Sequence, residues 1–510
     1  MPENMVNKMQ INLKTKLNSR VEAFIINIFI NQSKNIDVSL SESFKSLDRA
    51  SQTVIMTFVK ENTFKGGDTK LLFNSTGDVK NIIINFSSTE KWNERHLRTT
   101  IRKIILVAKE NKFSSLSFYL KDFVVPEVKP EQITKILTEN IVTAHFDFSE
   151  LFKEKPEDGW PEIKEVTILV PELSKTLTNA LKEGAIIGEE VNQARLLSNS
   201  PAGEITPEGL AEAARKAGKK SGFSVTIFDE KKLKTLGMGA ILGVGQGSEA
   251  KPRLITMEYR GGKQSEKPIT LIGKGVTFDS GGINIKTTDG LTDMHLDMSG
   301  GASVIYTMSA IARLKLPVNV LGFVPAVENM VSGASYRPGD ILKSYSGKTI
   351  EILNTDAEGR VILADAISYA KTKNPSVIID FATLTGAALI ALGQHASAIF
   401  SKNDTLIEFL SKIGEDSGDY VWPLPLWDEY EDSIKGTFGD VANTGKNRYG
   451  GAINGAMFLW QFAKPNLWAH VDIAPTMTSI DGQYLAKGST GAGVRLGVEL
   501  VKRWKEFKQD

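Results

Sequence analysis

Three short segments set carboxylates and cations at spacings that could do chemistry. The first, PITLIGKGVTFDSGG from Pro268 to Gly282, holds Lys274 between two glycines after an apolar run and reaches Asp279 just before Ser280-Gly281-Gly282. Glycine lets a backbone approach a ligand closely, although a tight turn carrying a solvated lysine reads the same way. The second, MHLDMSGG from Met294 to Gly301, places Asp297 ahead of a helix, where a capping carboxylate would also stand. The third, NTDAEGR from Asn354 to Arg360, follows the strand-like TIEIL. Asp356 and Glu358 stand two apart, so in an extended segment both project to one side, with Arg360 on the same parity. Acids enriched at a helix N-terminus give the plainer account. Two carboxylates sharing a strand end nevertheless repel each other unless a cation sits between them.

Composition narrows what that cation site can be. The 510 residues include no cysteine and five histidines, His96, His145, His295, His395 and His470. Disulfides, thiolate nucleophiles, zinc fingers and iron–sulfur ligation are excluded, and a reducing compartment fits. A metal must be held mainly by oxygen. Asp279, Asp297, Asp356 and Glu358 together supply four carboxylates, enough for two divalent cations roughly 3.5–4 Å apart. Lys274 could join them as a ligand only when neutral, which needs its pKa depressed by adjacent cations. Lys286 and Arg360 add positive charge suited to a developing oxyanion. His295, two residues from Asp297, reads as structural.

The formal net charge is +1, and residues 1–150 carry 21 Lys and Arg against 17 Asp and Glu. So small an excess, without a helix-turn-helix signature or interleaved basic and aromatic residues, argues against nucleic acid as a partner. A DNA-binding or transcriptional and recombination regulator is the alternative reading, from a different functional class. Gly273-Lys274-Gly275 lacks the rest of a phosphate-binding loop. The polar start of the chain has no apolar core for a secretory signal, and its basic, acid-poor character fits a transit peptide less well than strands. Ala23–Ile30 and Val377–Leu392 are too short or too interrupted to span a bilayer. A cytoplasmic location with no membrane contact is expected.

The segments need a frame. Residues 1–150 alternate β-type runs (VEAFIINIFI, TVIMTFVK, VKNIIINFS, SLSFYL) with polar stretches, and Arg98–Asn111 has a helical period. After the strand EVTILV a long helical pattern, Leu173–Ser198, closes before Pro201. The boundary is placed there: a smaller N-terminal α/β domain at 1–180 and a larger domain at 181–510. In the larger part, SVTIFD, RLITMEY, PITLIG, VNVLGFVPA, TIEILN and SVIIDF alternate with helical segments, among them Ala302–Leu314 and Glu358–Lys371. That alternation predicts an α/β fold with a helix-covered, mostly parallel central sheet. Ligands bind such sheets at the carboxyl ends of their strands, which is where two of the three segments fall.

The runs GKGVTFDSGG, KTTDGLTDMHLDMSGGA, NTDAEGRVILADA and DFATLTGA resemble the signature blocks of the leucine aminopeptidase family, the cytosol aminopeptidases. ARLLSNSPAGEITP, GQGS, WAHVDIAP and GSTGAGVRLGVELV extend the resemblance over most of the chain after about residue 190. The resemblance implies a dinuclear-metal aminopeptidase that uses a metal-bridging water and prefers leucine and other apolar N-terminal residues of peptides. It places metal ligands on Lys274, Asp279, Asp297, Asp356 and Glu358, with Asp279 and Glu358 bridging, and two ions, zinc or manganese. It gives catalytic roles to Lys286, which polarises the scissile carbonyl, and to Arg360, which holds a bicarbonate ion as general base. Substrate binding falls on Met294, Thr383, Leu384, Thr385 and Gly386, with Asp297 facing the free α-amino group. A homohexamer is implied as well, with the N-terminal domain serving assembly. Gly203 stands where the family usually has Asn, and Ala474-Pro475 replaces the common Ala-Gly; both lie outside the ligand set.

Overall fold

The computed structural model describes residues 9–17, 21–31, 36–157 and 159–508. The polar start of the chain, to which the secretory-signal and transit-peptide readings apply, lies partly outside them, at residues 1–8 and 18–20. The chain divides into two compact units, Met1–Glu189 with Ile480–Lys487, and Glu190–Ser479 with Gly488–Asp510.

The first unit is built on six strands: β1 (Gln10–Lys14), β2 (Ala23–Ile30), β3 (Thr69–Phe73), β4 (Asn81–Ser88), β5 (Ser115–Tyr119) and β6 (Glu165–Leu169). Their order is β1-β6-β5-β2-β4-β3, and only β3 runs antiparallel to its neighbour. β2 reads AFIINIFI because both faces of the sheet are covered, and an alternating polar face would leave one of them unmatched. Ile25 packs on one side with Leu97, Ile101 and Ile133, while Phe24, Ile26 and Ile28 pack on the other with Phe44 and Ile55.

One expectation fails here. TVIMTFVK reads as a strand by composition, but it lies inside the helix α1 (Arg49–Glu61). Asp48 caps that helix, accepting the Ser51 N–H at 2.9 Å, and Ser51, Ile55, Phe58 and Val59 recur at helical spacing. The cap and the period outweigh the β-branched composition. The helices α2 (Glu94–Glu110) and α3 (Pro130–His145) cover the opposite face. Next, α4 (Lys175–Asn199) runs from the first unit into the second. Among the described residues no helix is long and apolar enough to cross a membrane.

In the second unit, α5 (Pro207–Ser221) begins as its sequence predicts: Thr206 Oγ1 accepts the Gly209 N–H, with Pro207 at the first helical position. The strands are β7 (Ser224–Phe228), β8 (Arg253–Arg260), β9 (Ile269–Gly273), β10 (Gly275–Asp279), β11 (Asn319–Asn329), β12 (Ile341–Lys343), β13 (Thr349–Glu351), β14 (Val377–Ala382), β15 (Ser397–Phe400), β16 (Val421–Pro423), β17 (Val441–Ala442) and β18 (Trp468–Asp472). The main sheet runs β16-β15-β18-β14-β9-β11-β8-β7, with β10 beside β11. Its centre, β18-β14-β9-β11, is parallel throughout, and antiparallel pairs lie toward the edges. TIEILN does not join this sheet. Its strand β13 pairs with β12 and β17 in a separate three-stranded sheet.

Alternate residues of β11 meet different helices. Gly322 and Val324 face α6 (Ser299–Leu314), whereas the Phe323 ring lies 5.7 Å from Tyr369 of α7 (Glu358–Lys371). The parallel centre is therefore covered on both faces, as its near-continuous apolar strands require. The shared parallel direction of β10, β11, β14 and β18 brings their carboxyl ends to one edge of the sheet, where the charged segments lie.

Candidate active site

Lys274 sits in the break between β9 and β10, its N–H donated to the Phe381 carbonyl and its own carbonyl accepting the Gly301 N–H. This three-way junction explains the glycines around it. A Cβ on Gly300 would lie 2.1 Å from the Phe381 oxygen, and one on Gly359 would lie 2.7 Å from Lys274 Nζ. The lysine side chain is buried and donates to Asp297 Oδ1 at 2.8 Å and to the Thr383 carbonyl at 2.9 Å. It also pairs with Glu358 at 2.8 Å. Asp297 caps nothing: α6 has no side-chain cap, and Asp297 Oδ1 is taken by Lys274 and by the Thr383 hydroxyl at 2.7 Å.

A second cation stands across the cluster. Lys286 pairs with Asp279 at 2.8 Å and closely with Asp356. Asp279 ends β10, and the positive φ angles of Gly281 (86°) and Gly282 (65°) turn the chain back beneath it. Asp356 occupies the turn after β13 and Glu358 opens α7, so the segment is not extended at that point. Carboxylate oxygens of Asp279, Asp356 and Glu358 nonetheless lie within 4.8 Å of one another. The turn between Asp356 and Glu358 performs what a strand's parity was expected to do.

Four carboxylates around two ammonium groups leave the cluster with surplus negative charge. Burial lifts Asp279, helped by Glu358 and opposed by Lys286 and Lys274, to about 6. Burial likewise raises Asp297 well above the usual carboxylate range against the pull of Lys274, and raises Asp356 against Lys286. Glu358 is lowered, because Lys274 and Lys286 outweigh its burial. Burial alone would depress Lys274, but Asp297, Glu358 and Asp279 hold it well above an ordinary lysine. Lys286 is raised by Asp279 and Glu358 in the same way, against burial. The depressed Lys274 that metal ligation calls for is thus not a property of the chain by itself; its ammonium is held by the carboxylates that surround it.

The donor set suits divalent cations. It is hard, rich in oxygen and gathered at strand ends. Asp297 Oδ2 and Asp356 Oδ1 are buried and satisfied only by the charge of a neighbouring lysine. Both oxygens are available to a cation.

Arg360, in the first turn of α7, is buried and donates to the Asn443 carbonyl at 2.9 Å. Its burial lowers its pKa, with Glu358, Asp472 and Asp356 acting against that. Thr383, Leu384 and Thr385 follow β14, and Gly386 opens α8 (Gly386–Leu392) with Thr385 as its cap. Thr383 reaches the charged cluster directly. Leu384 and Thr385 instead hang from Asp472, which accepts the Leu384 N–H at 3.1 Å and the Thr385 hydroxyl at 2.7 Å. Met294, half-buried, begins the short 3₁₀ helix that carries Asp297. His295 is half-buried, its pKa lowered by burial, and it is not among the clustered carboxylates.

Sequence reading passed over four buried residues that hold this arrangement: Asn329, Tyr336, Asn443 and Asp472. Asn329 and Asp472 end β11 and β18, and a search of every strand terminus for polar residues would have found them. Tyr336 lies in a loop 19 residues before the Thr355 it supports, and Asn443 follows the two-residue β17, 89 residues after Asn354; no local signal marks either.

The catalytic-domain model of the cytosol aminopeptidase family matches residues 192–498. A probable cytosol aminopeptidase of Syntrophotalea carbinolica is 46% identical over 375 residues, 73% of this chain and 75% of its own length. Another, of Pseudomonas fluorescens, is 39% identical over 463 residues and spans 90% of this chain and 92% of its own. Among solved structures, the bottromycin maturation enzyme BotP in complex with Mn aligns with a TM-score of 0.82 at 26% identity, covering 95% of this chain and 99% of that one. Family model, relatives and the buried carboxylate cluster converge: this chain belongs to the cytosol aminopeptidase family, and it is a metal-dependent aminopeptidase, a hydrolase.

Proposed function

We propose that the chain releases N-terminal residues from peptides, preferring leucine and other apolar side chains, with two divalent ions, zinc or manganese, held by Lys274, Asp279, Asp297, Asp356 and Glu358. The observation that carries this reading is the meeting of Asp279, Asp356 and Glu358 oxygens within 4.8 Å, beside the buried Lys274 and the half-buried Lys286. Asp279 and Glu358 would be the carboxylates shared between the two ions. Bound divalent ions supply Lewis-acid polarisation and an acidified water.

The chain's own groups do the rest. Lys286 donates a charged hydrogen bond to the carbonyl oxygen of the scissile bond and stabilises the negative charge that develops on it. Arg360 would hold a bicarbonate ion, which would supply a general base. Asp297 receives the free α-amino group, which restricts cleavage to the first residue. Met294, Thr383, Leu384, Thr385 and Gly386 line the substrate; an apolar pocket separates side chains differing by one methylene by only ~1–3 kcal/mol, so several residues are accepted. The resemblance supports a homohexamer in the cytoplasm, with an N-terminal domain at 1–180 serving assembly and a catalytic domain at 181–510.

Metal analysis and a panel of aminoacyl amides test this together. Metal-loaded protein hydrolyses leucine amide and Asp356→Ala does not; full activity in a metal-stripped preparation would refute the reading.

A further inference from the structure

We propose that Asn329 is a positioning residue for Asp279: it decides which oxygen of that carboxylate faces the cluster, and so sets the affinity of the site for its divalent ions. The inference rests on the metal-binding reading above.

Asn329 is the last residue of β11 and is fully buried, opposite Asp279 in the parallel register with β10. Its amide Nδ2 donates to Asp279 Oδ1 at 2.8 Å and to the Thr355 carbonyl at 2.9 Å. Gly281 N–H adds a second donor to the same Asp279 Oδ1, at 2.9 Å. That oxygen is thereby committed, and Oδ2 is left toward Lys286 at 2.8 Å. The Asn329 main chain works on the same turn, its carbonyl accepting the Ser280 N–H at 3.0 Å and the Ser280 hydroxyl at 2.7 Å.

Both donors of one planar amide are thus spent on two separate pieces of chain. One carries Asp279, and the other, through Thr355, carries Asp356 and Glu358. The amide cannot turn over. Its Oδ1 is buried without a hydrogen bond, close enough to Gly282 that a Cβ there would lie 2.8 Å away. A reversed amide would set that oxygen against the Asp279 carboxylate. Aspartate has the shape but not the donors, and serine has a single donor. Groups that orient metal ligands in this way commonly change metal affinity ~10–100-fold when removed.

Titration calorimetry of Mn²⁺ into metal-stripped full-length protein tests the assignment, with thermal unfolding of each metal-free variant recorded alongside. Asn329→Ala is expected to bind Mn²⁺ about 10–100-fold more weakly than wild type. Asn329→Ser, which keeps one donor, should fall between the two and serves if the alanine variant does not fold. Asn140→Ala is the control, because Asn140 is a fully buried amide of the first unit whose Nδ2 donates to the Ile136 carbonyl at 2.7 Å, away from the carboxylate cluster. It should keep wild-type affinity. Unchanged affinity in both Asn329 variants, or an equal loss in Asn140→Ala, would overturn the proposal. Wild-type protein that binds no Mn²⁺ or Zn²⁺ would instead overturn the metal reading itself.

Discussion

Asp380 Oδ1 and His470 Nδ1 lie 2.6 Å apart on neighbouring strands, with both side chains wholly excluded from solvent. The other Asp380 oxygen accepts the Trp468 indole N–H at 2.7 Å. One carboxylate thus bonds one nitrogen of each of two buried rings on β18 and ties β14 to it, just before the Thr383–Thr385 turn. Asp380→Ala should destabilise the chain by about 2–6 kcal/mol, since each orphaned buried donor costs ~1–3 kcal/mol. Asp380→Asn keeps an acceptor and should lose less. Urea denaturation of the three proteins checks this, and equal stability of wild type and the alanine variant contradicts it.

Much of the site was legible because its charged residues sit in short runs at strand ends. Lys274 and Asp279 belong to one extended run interrupted at Lys274, and Asp356, Glu358 and Arg360 to one turn and the helix start that follows it. Their meeting in space was not legible from spacing. Glu358 opens a helix, so the Asp356–Glu358 pair converges through a turn and not through the parity of a strand. The direction of the Lys274 shift also needed the structure, because it depends on Asp297 and Glu358 closing around the ammonium from different elements. TVIMTFVK shows the opposite limit. Its β-branched residues argued strand, and the deciding Asp48 cap lies outside the run that was read.

Lys286→Gln should reduce turnover by about 10²–10³-fold, the usual cost of losing one group that stabilises an oxyanion. Metal content should stay near that of wild type, because Lys286 neutralises Asp279 and Asp356 without being assigned as a ligand. Steady-state hydrolysis of leucine amide, paired with metal analysis of the same sample, separates the two effects. A variant that loses its metal along with its activity would move Lys286 from catalysis to assembly of the site.

Loading the site should release protons. Lys274 is held as an ammonium by Asp297, Glu358 and Asp279, and it must give up its proton to ligate a metal. Burial also keeps Asp279, at about 6, partly protonated at mildly acidic pH, and raises Asp297 in the same direction. Metal affinity should therefore rise with pH, as ligands shed the protons that compete with the ion. Calorimetry in buffers of different ionisation enthalpy reads the proton count directly. No proton released at neutral pH would remove Lys274 from the ligand set.

His145, in the first unit, gives a pH dependence of stability that is independent of the metal site. Burial, with Lys109 adding to it, lowers its pKa from 6.5 to about 4, and its Nε2 accepts the Ile163 N–H at 3.1 Å. In the folded chain the ring thus stays neutral down to about 4, whereas in the unfolded chain it takes a proton near 6.5. Between those values the unfolded state binds the extra proton, so stability falls as pH drops through the window. Above 6.5 the contribution is fully present, and below about 4 both states are protonated and the loss levels off. Protonation also removes the lone pair that Ile163 uses, which is why folding resists it. His145→Gln offers an amide oxygen to the same N–H with nothing to titrate, so its unfolding midpoint should vary less over this range. Thermal unfolding of both proteins from about pH 7.5 to about pH 4.5 should show the advantage of wild type shrinking as acid is added. Parallel curves would mean that the His145 ring does not stay neutral in the fold.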